Sequence, residues 1–307
     1  MIAYVKGGTM DNKKYEAMIH IAENHSITKT AEEMGYTQSG VTQMINSLED
    51  ELGLKLLVRT NKGVALTTAG DTLLHYMREE HKWEAMIRQE ADLMQGLETG
   101  TVMAGCLSSV SAAWMPSILE HFARQHPKIK VHMLENETPE LLKMLADGRI
   151  DIAITDIATD RKEFSFTELV HDEIMAVVPL RHPLSTRKNV SLEELRQFPF
   201  VSYATGDTGS TNIGWPDIAT GHKIKWEVMY SCKDDMTAIN MVEHNLGVTL
   251  AGSLMLGNYP VKTANISLDP PLFRSLGITL RAHEDMLPAT KSFIDCAHEI
   301  ISPNGKL

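Results

Sequence analysis

From Thr68 to Leu97 the chain runs thirty residues without proline, and glycine occurs there only at positions 70 and 96. On a charged background, Leu73, Met77, Trp83, Ile87, Met94 and Leu97 recur at spacings of three to seven. That pattern predicts one long helix with an apolar seam, ended by Gly96 and Gly100. A seam this long with no domain of its own is normally buried against a partner helix. The six residues are therefore expected to form a dimer interface, the plain alternative being a helix that lies on its own protein.

The two sides of this helix differ in texture. Residues 11 to about 70 are short helical patterns broken at Gly35, Gly53, Gly63 and Gly70. From Thr101 onward, strands alternate with helices. The first three strands are expected at 101–107, 130–134 and 150–155, with helices at 113–125 and 139–147 between them. The pattern resumes with a strand at 174–179, a short helix at 192–195, strands at 199–203 and 224–228, a helix at 235–243, strands at 247–251 and 277–281, and a last helix at 289–301. Strand–helix–strand alternation at this pitch implies βαβ units around a parallel sheet, and its amount implies two α/β lobes with a cleft between them. For 307 residues, the expected division is 10–68, 69–98 and 99–307, with lobe I about 99–160 and 269–301 and lobe II about 161–268.

Three cysteines, Cys106, Cys232 and Cys296, lie far apart without a CxxC, so neither a disulfide framework nor a zinc ribbon is expected. No metal or other cofactor is expected. No apolar run reaches membrane-spanning length, and Met1 to Met10 lacks a signal-peptide h-region; a non-natural leader before a start at Met10 would explain it. The cytoplasm is the expected location. The net charge, 29 − 40 = −11, counts against general polyanion binding, so any nucleic-acid contact must come from a local surface.

Such a surface is legible between Thr28 and Leu48. Ala31, four residues before Gly35, leaves room for two helices to cross, and Gly35 suits the sharp turn between them. Met34, Val41, Met44, Ile45 and Leu48 are the positions expected to pack the second helix onto the first. Its outward positions are Gln38, Ser39, Thr42, Gln43 and Asn46. No Asp, Glu, Lys or Arg occurs between Met34 and Leu48. A carboxylate-free face of amides and hydroxyls on an acidic chain suits base edges and phosphates. An ordinary αα-hairpin is the alternative. A third amphipathic stretch from Leu48 and a two-stranded ribbon turning at Asn61-Lys62-Gly63, with Arg59 and Lys62 at its tip, favour a winged helix. Thr28, Lys29, Thr37 and Thr67 complete the candidate DNA contacts. From Met10 to Gly70 there are six positive and eight negative side chains, which predicts modest affinity per monomer.

Ser26 to Thr42, Leu48 to Arg59 and Leu66-Thr-Thr-Ala-Gly70, in this order, resemble the N-terminal domain of LysR-type transcriptional regulators. Leu141 to Ile154, His182-Pro-Leu and Gly247-Val-Thr-Leu are similar to landmarks of the family's second half. The resemblance implies an N-terminal winged helix-turn-helix, all-α with a small β wing, then a long linker helix and a C-terminal α/β two-lobe effector domain like a periplasmic binding protein. It implies promoter DNA and a small-molecule effector as partners, a homodimer assembling as a homotetramer, and RNA polymerase as a further candidate partner. Gln38, Ser39, Thr42 and Gln43 match the recognition-helix contact positions, and Arg59 and Thr67 those of the wing. Many members carry Arg where Gln43 stands, and Gln favours adenine. Leu57 stands where Phe is usual, a matter of packing.

For the effector, the resemblance points to the loop after the first effector-domain strand. Backbone N–H groups there, with the hydroxyls of Ser108, Ser109 and Ser111, would seat a carboxylate or other anion, one serine capping the helix in the plain reading. Glu137, Thr138, Thr155, Ser202, Tyr203 and Thr249, at strand ends, are further lining candidates. Gly206 to Gly214 reads as a surface loop, with folding over the cleft as its functional reading. The rival readings are an enzyme and a solute-binding module in which the N-terminal helices are only structural. No GxSxG, HExxH or GxGxxG after a strand supports an enzyme, and Asp151 and Asp156 read as turn residues rather than a catalytic pair. No catalytic residue is assigned.

Overall fold

The structure, a computed structural model, describes residues 12–61, 63–156, 162–203, 226–257 and 260–301. They form two compact units: one built on the chain up to Gly100 with 146–149 and 287–289, and one built on the rest.

The first unit comprises α1 (Asn12–Asn24), α2 (Ile27–Met34), α3 (Gln38–Leu52), β1 (Leu57–Thr60), β2 (Gly63–Leu66) and α4 (Thr68–Met94). Helix starts are set by hydroxyls accepting from orphan amides: Ser26 from Lys29 N–H, Thr37 from Gly40 N–H and Thr67 from Gly70 N–H. Gly35 ends α2 in the left-handed region at φ 71°. Met18, Ile21, Ala31, Val41, Ile45, Leu48, Leu74 and Met77 are buried together. Met34 and Met44 pack against them, as their spacing predicts. Gly70, expected as a breaker, instead lies in the first turn of α4, where a Cβ would collide with the Leu56 carbonyl. Its role is close approach rather than termination.

Glu49 ties α3 to the wing. Its buried carboxylate accepts from the N–H groups of Leu56 (2.8 Å) and Leu57 (3.2 Å) and pairs with Lys55. Burial pushes this carboxyl up, but the bonds from Lys55, Leu56 and Leu57 outweigh it and hold it below the ordinary range.

The second unit comprises β3 (Gly100–Cys106), α5 (Ser108–Ala113), α6 (Met115–Gln125), β4 (Ile129–Glu135), α7 (Thr138–Ala146), β5 (Ile152–Thr155), β6 (Phe164–Pro179), β7 (Asn189–Val190), α8 (Leu192–Leu195) and β8 (Phe200–Tyr203). It continues through β9 (Val228–Cys232), α9 (Asp235–Glu243), β10 (Thr249–Gly252), α10 (Ser253–Leu256), β11 (Thr263–Arg281) and α11 (Pro288–Ile301). The main sheet runs β10-β6-β11-β5-β3-β4, with β7 on β11, and β8 and β9 form a parallel pair beside it. Two core clusters lie around β6. Ile174, Ala176 and Val178 face Phe200, Trp226, Val248 and Leu250, while Val177 faces Ala238, Ile239, Val242 and Met255. This is the period-2 alternation of a strand covered on both faces.

The sheet is mixed rather than parallel. β3 and β5 pair in parallel as expected, but β11 runs antiparallel to both β5 and β6. Two strands are also longer than their sequences suggest. β6 starts at Phe164, ahead of the apolar run at 174–179, because its first half is polar and half-exposed. β11 was expected only at 277–281. Pro270 and Pro271 obscure its earlier half, and the ladder accommodates them in a register shift between Ser267 and Leu272. β9 is Val228–Cys232, and Trp226 and Glu227 of the expected strand lie outside it. The expected loop at 206–214, Ile224 and Lys62 lie outside the described residues.

Replacing Glu49 by Ala should destabilise the first unit by about 2–3 kcal/mol, since one buried and one half-buried N–H group lose a charged acceptor. Because the folded carboxyl is held low, this stabilisation is present above the ordinary Glu range and lost as pH falls through the folded value. Denaturant melts of parent and Glu49→Ala should therefore differ at pH 7 and converge under acid.

Candidate functional site

The N-terminal candidate site is the outer face of α3. With Val41, Ile45 and Leu48 buried, the 3.6-residue period turns Gln38, Ser39, Gln43 and Asn46 outward to exposed positions and leaves Thr42 half-exposed. Thr28, Lys29 and Thr37 are exposed around its start. Two hydroxyls of the face are engaged within it: Thr42 donates to the Gln38 carbonyl (2.8 Å), and Ser39 lies 3.1 Å from the Thr37 hydroxyl. The β1–β2 ribbon stands beside these helices with Arg59 exposed, and the Val64 N–H donates to the His25 carbonyl (3.0 Å). Thr67 is also a joint. Its hydroxyl donates to the Lys55 carbonyl and accepts from Gly70 N–H at the start of α4. Lys13, Lys14 and Lys55 pair with Glu16, Glu51 and Glu49, so the charge of this unit is largely spent internally.

The expected seam of α4 divides in two. Leu73 and Met77 pack into the unit's own core, because the first turns of α4 cover α1. Trp83, Ile87, Met94 and Leu97 are exposed. Tyr76, which the sequence reading passed over, joins them: Tyr76, Trp83, Ile87 and Met94 are spaced seven, four and seven apart, one stripe of the helix.

In the second unit, the C-terminal ends of β3, β4, β5 and β8 bring Ser108, Glu137, Thr138 and Tyr203 into one polar neighbourhood with three residues the sequence did not single out as ligand groups: Asp156, Asp235 and Arg274. Ser108 Oγ donates to Asp235 Oδ2 (3.3 Å), and Thr138 Oγ1 to Asp156 Oδ1 (2.6 Å). Arg274 donates through Nε to Asp172 Oδ2 (2.7 Å) and through Nη2 to Ser109 Oγ (3.0 Å). Asp172 is buried and also accepts from Ser253 Oγ and Leu254 N–H. Arg274, although paired with Asp172, still draws on Glu137 and Asp235, so the carboxylates of the site outnumber its one cation. Desolvation, with the Asp156 and Asp235 carboxylates, pushes the Glu137 carboxyl up; desolvation does the same to Asp235 against the opposing bonds from Met236 N–H and Ser108. Burial drives the Tyr203 phenol far above its ordinary range, and its hydroxyl donates to the Leu250 carbonyl (2.8 Å).

The other candidates are placed differently. Thr155 and Thr249 are fully buried, their hydroxyls engaged with Thr279 and the Val201 carbonyl. Ser202 is buried, and Ser111 turns to Glu135 on β4. None of the three serines caps α5: the cap residue is Leu107, without a side-chain bond, and α5 has only six residues. The expected anion seat therefore lacks a helix of useful length and has a carboxylate at Ser108. Asp151 accepts from Met103 N–H, a structural bond. Burial pushes the Cys106 thiol up to about 12 and Cys296 to about 11, and raises Cys232, so all three are protonated at neutral pH. Among the described residues no group of three His, Cys, Asp or Glu is placed to hold a metal, and no helix is long and apolar enough to cross a membrane.

Comparison with known proteins agrees with this division. Residues 13–71 match the bacterial regulatory helix-turn-helix protein, lysR family, and residues 95–301 match the LysR substrate binding domain. The uncharacterized HTH-type transcriptional regulator YvbU of Bacillus subtilis is 26% identical over 288 residues, covering 93% of this chain and 97% of the relative. Among solved structures, a full-length OxyR variant from Pseudomonas aeruginosa has a TM-score of 0.73 at 18% identity, covering 96% of this chain and 95% of that one. Full-length CbnR complexed with its target DNA has a TM-score of 0.65 at 16% identity, covering 94% and 99%. The chain belongs to the LysR family of transcriptional regulators, a helix-turn-helix DNA-binding domain followed by an effector-binding domain, and not to an enzyme family.

Proposed function

We propose that this regulator binds promoter DNA through the outer face of α3, with Gln38, Ser39, Thr42, Gln43 and Asn46 towards the bases and Thr28, Lys29, Thr37, Arg59 and Lys62 towards the backbone. The observation that carries the reading is the exposed face of α3 over residues 38–47, free of charged side chains in an otherwise acidic chain. With few unpaired cations per protomer, one copy binds weakly, and two copies joined through the Tyr76, Trp83, Ile87 and Met94 stripe bind together. Ile87 and Met94 are 70% and 86% exposed, a cost for large apolar side chains that a second α4 removes. The dimers pair into a tetramer on the promoter and act on RNA polymerase, in the cytoplasm.

The effector binds in the second unit, in the cleft between lobe I (about 99–160 and 269–301) and lobe II (about 161–268), against Ser108, Glu137, Thr138, Tyr203, Asp156 and Asp235. Three carboxylates around one Arg274, itself already paired with Asp172, favour a small molecule carrying a cationic group over a bare anion.

Full-length protein should bind a fragment of its own promoter with a Kd of about 10 nM or tighter at moderate salt. A Gln38→Ala/Gln43→Ala variant that remains folded and dimeric should lose this specific binding; retention of full affinity would sink the reading. Arg59→Ala should flatten the plot of log affinity against log salt by about one per protomer engaged.

The raised Glu137 carboxyl gives a separate test of the cleft. The folded state holds this proton more tightly than the unfolded chain, so the stabilisation belongs to low pH and is lost as pH rises through the raised folded value. Without effector, Glu137→Gln should be more thermostable than the parent at pH 7, with the gap closing near pH 4. Equal melting temperatures at both pH values would show that the carboxylates do not crowd one another.

A further inference from the structure

We infer that α3 reads adenine through amide side chains, with Gln43 setting the base pair at its position, and that the operator half-site carries an A·T pair there. The inference rests on the reading that the outer face of α3 enters the major groove, and it asks which atoms of that face are left to identify a base.

The hydroxyls are the less available groups. Thr37 accepts from Gly40 N–H and lies 3.1 Å from Ser39 Oγ, while Thr42 spends its proton on the Gln38 carbonyl, four residues back on its own helix. Each keeps some capacity for a phosphate or a single base atom, but a lone hydroxyl fits several base edges and distinguishes them poorly. The amides of Gln38, Gln43 and Asn46 are exposed on the same face. An amide offers one donor group and one acceptor in a fixed fork, which matches the N7 acceptor and N6 amino donor of adenine together. Guanine presents two acceptors at the same edge and calls for Arg or Lys. No Arg or Lys occurs from Gly35 to Ser47, so the face holds no guanine fork.

Gln43 is the member best placed to specify. Gln38 stands at the very start of the helix and Asn46 has a shorter side chain. Gln43 lies between them, flanked by the buried positions Val41 and Ile45 that fix its helical face. Gly40, one turn before it, adds no side chain to the surface: a Cβ there would meet only Thr37 Oγ1 at 3.2 Å. The first turn is thus flat enough for close approach to the groove floor.

The test is selection of binding sites from a randomised duplex library, using the full-length parent, Gln43→Arg and Gln43→Ala. The parent should enrich a half-site with an A·T pair at one defined position, and changing that pair to G·C should weaken binding by about 5- to 150-fold. Gln43→Arg should convert this one position to G·C and leave the others unchanged. Gln43→Ala should relax it to any pair. If Gln43→Arg binds and selects the parental motif, the assignment is overturned while α3 as the reading helix stands. If the parent enriches no motif, or if Gln38→Ala/Gln43→Ala binds the parental motif undiminished, the reading of α3 falls and the inference with it.

Discussion

The Glu49 carboxylate, enclosed between α3 and the strand that follows it, is the joint on which the DNA-binding half depends. The backbone N–H groups of Leu56 and Leu57 both donate to it, and a neutral acceptor would compensate them less well than a carboxylate does. Because the same bonds place Leu56, they also place its carbonyl, which accepts from Thr67 N–H. Gly70 lies directly against that carbonyl, and only glycine fits there. One buried charge thus fixes the start of the wing against α3 and, through Leu56, bears on where α4 starts, while Lys55 compensates its desolvation.

Much of this half was legible in the sequence because helical spacing and helix ends are local properties. Val41, Ile45 and Leu48 could be read as a buried stripe, and Gly35 as a left-handed turn, without knowing what they pack against. Gly70 was misread for the opposite reason: its glycine answers to Leu56, a neighbour supplied by the tertiary fold. The same holds in the effector half. Asp235 opens a helix and reads as an ordinary first-turn acid, and Arg274 lies in a stretch that two prolines disguise as loop. Only the pairing of β6 with β11, a hundred residues apart, sets Arg274 opposite Asp172 and within reach of Ser109. A site assembled from long-range pairings offers no periodic signal, which is why the serines of its first loop and Glu137 were legible as ligand groups and Asp156 and Asp235 were not.

The two halves solve opposite electrostatic problems. In the DNA-binding unit, several acids are tied to lysines and none stands on α3 before Glu49, so the first turns of α3 in an acidic chain can approach a polyanion at close range. In the effector unit, carboxylates are drawn together at strand ends, where Glu137 and Asp235 are both held above their ordinary range. That arrangement is unfavourable in isolation and becomes favourable when something positive enters, so the unliganded domain stores part of the free energy that a ligand would recover.

The hydroxyl of Thr67 joins the wing to α4 without slack, and the first turns of α4 are themselves part of the N-terminal core through Leu74 and Met77. Helix and DNA-reading surface therefore behave as one rigid lever. In a dimer joined along α4, the separation of the two reading surfaces is fixed by where the helices cross. The distance between half-sites on the DNA is then written along the length of α4, and deleting one turn of it would change the spacing the protein recognises without touching a residue that meets a base.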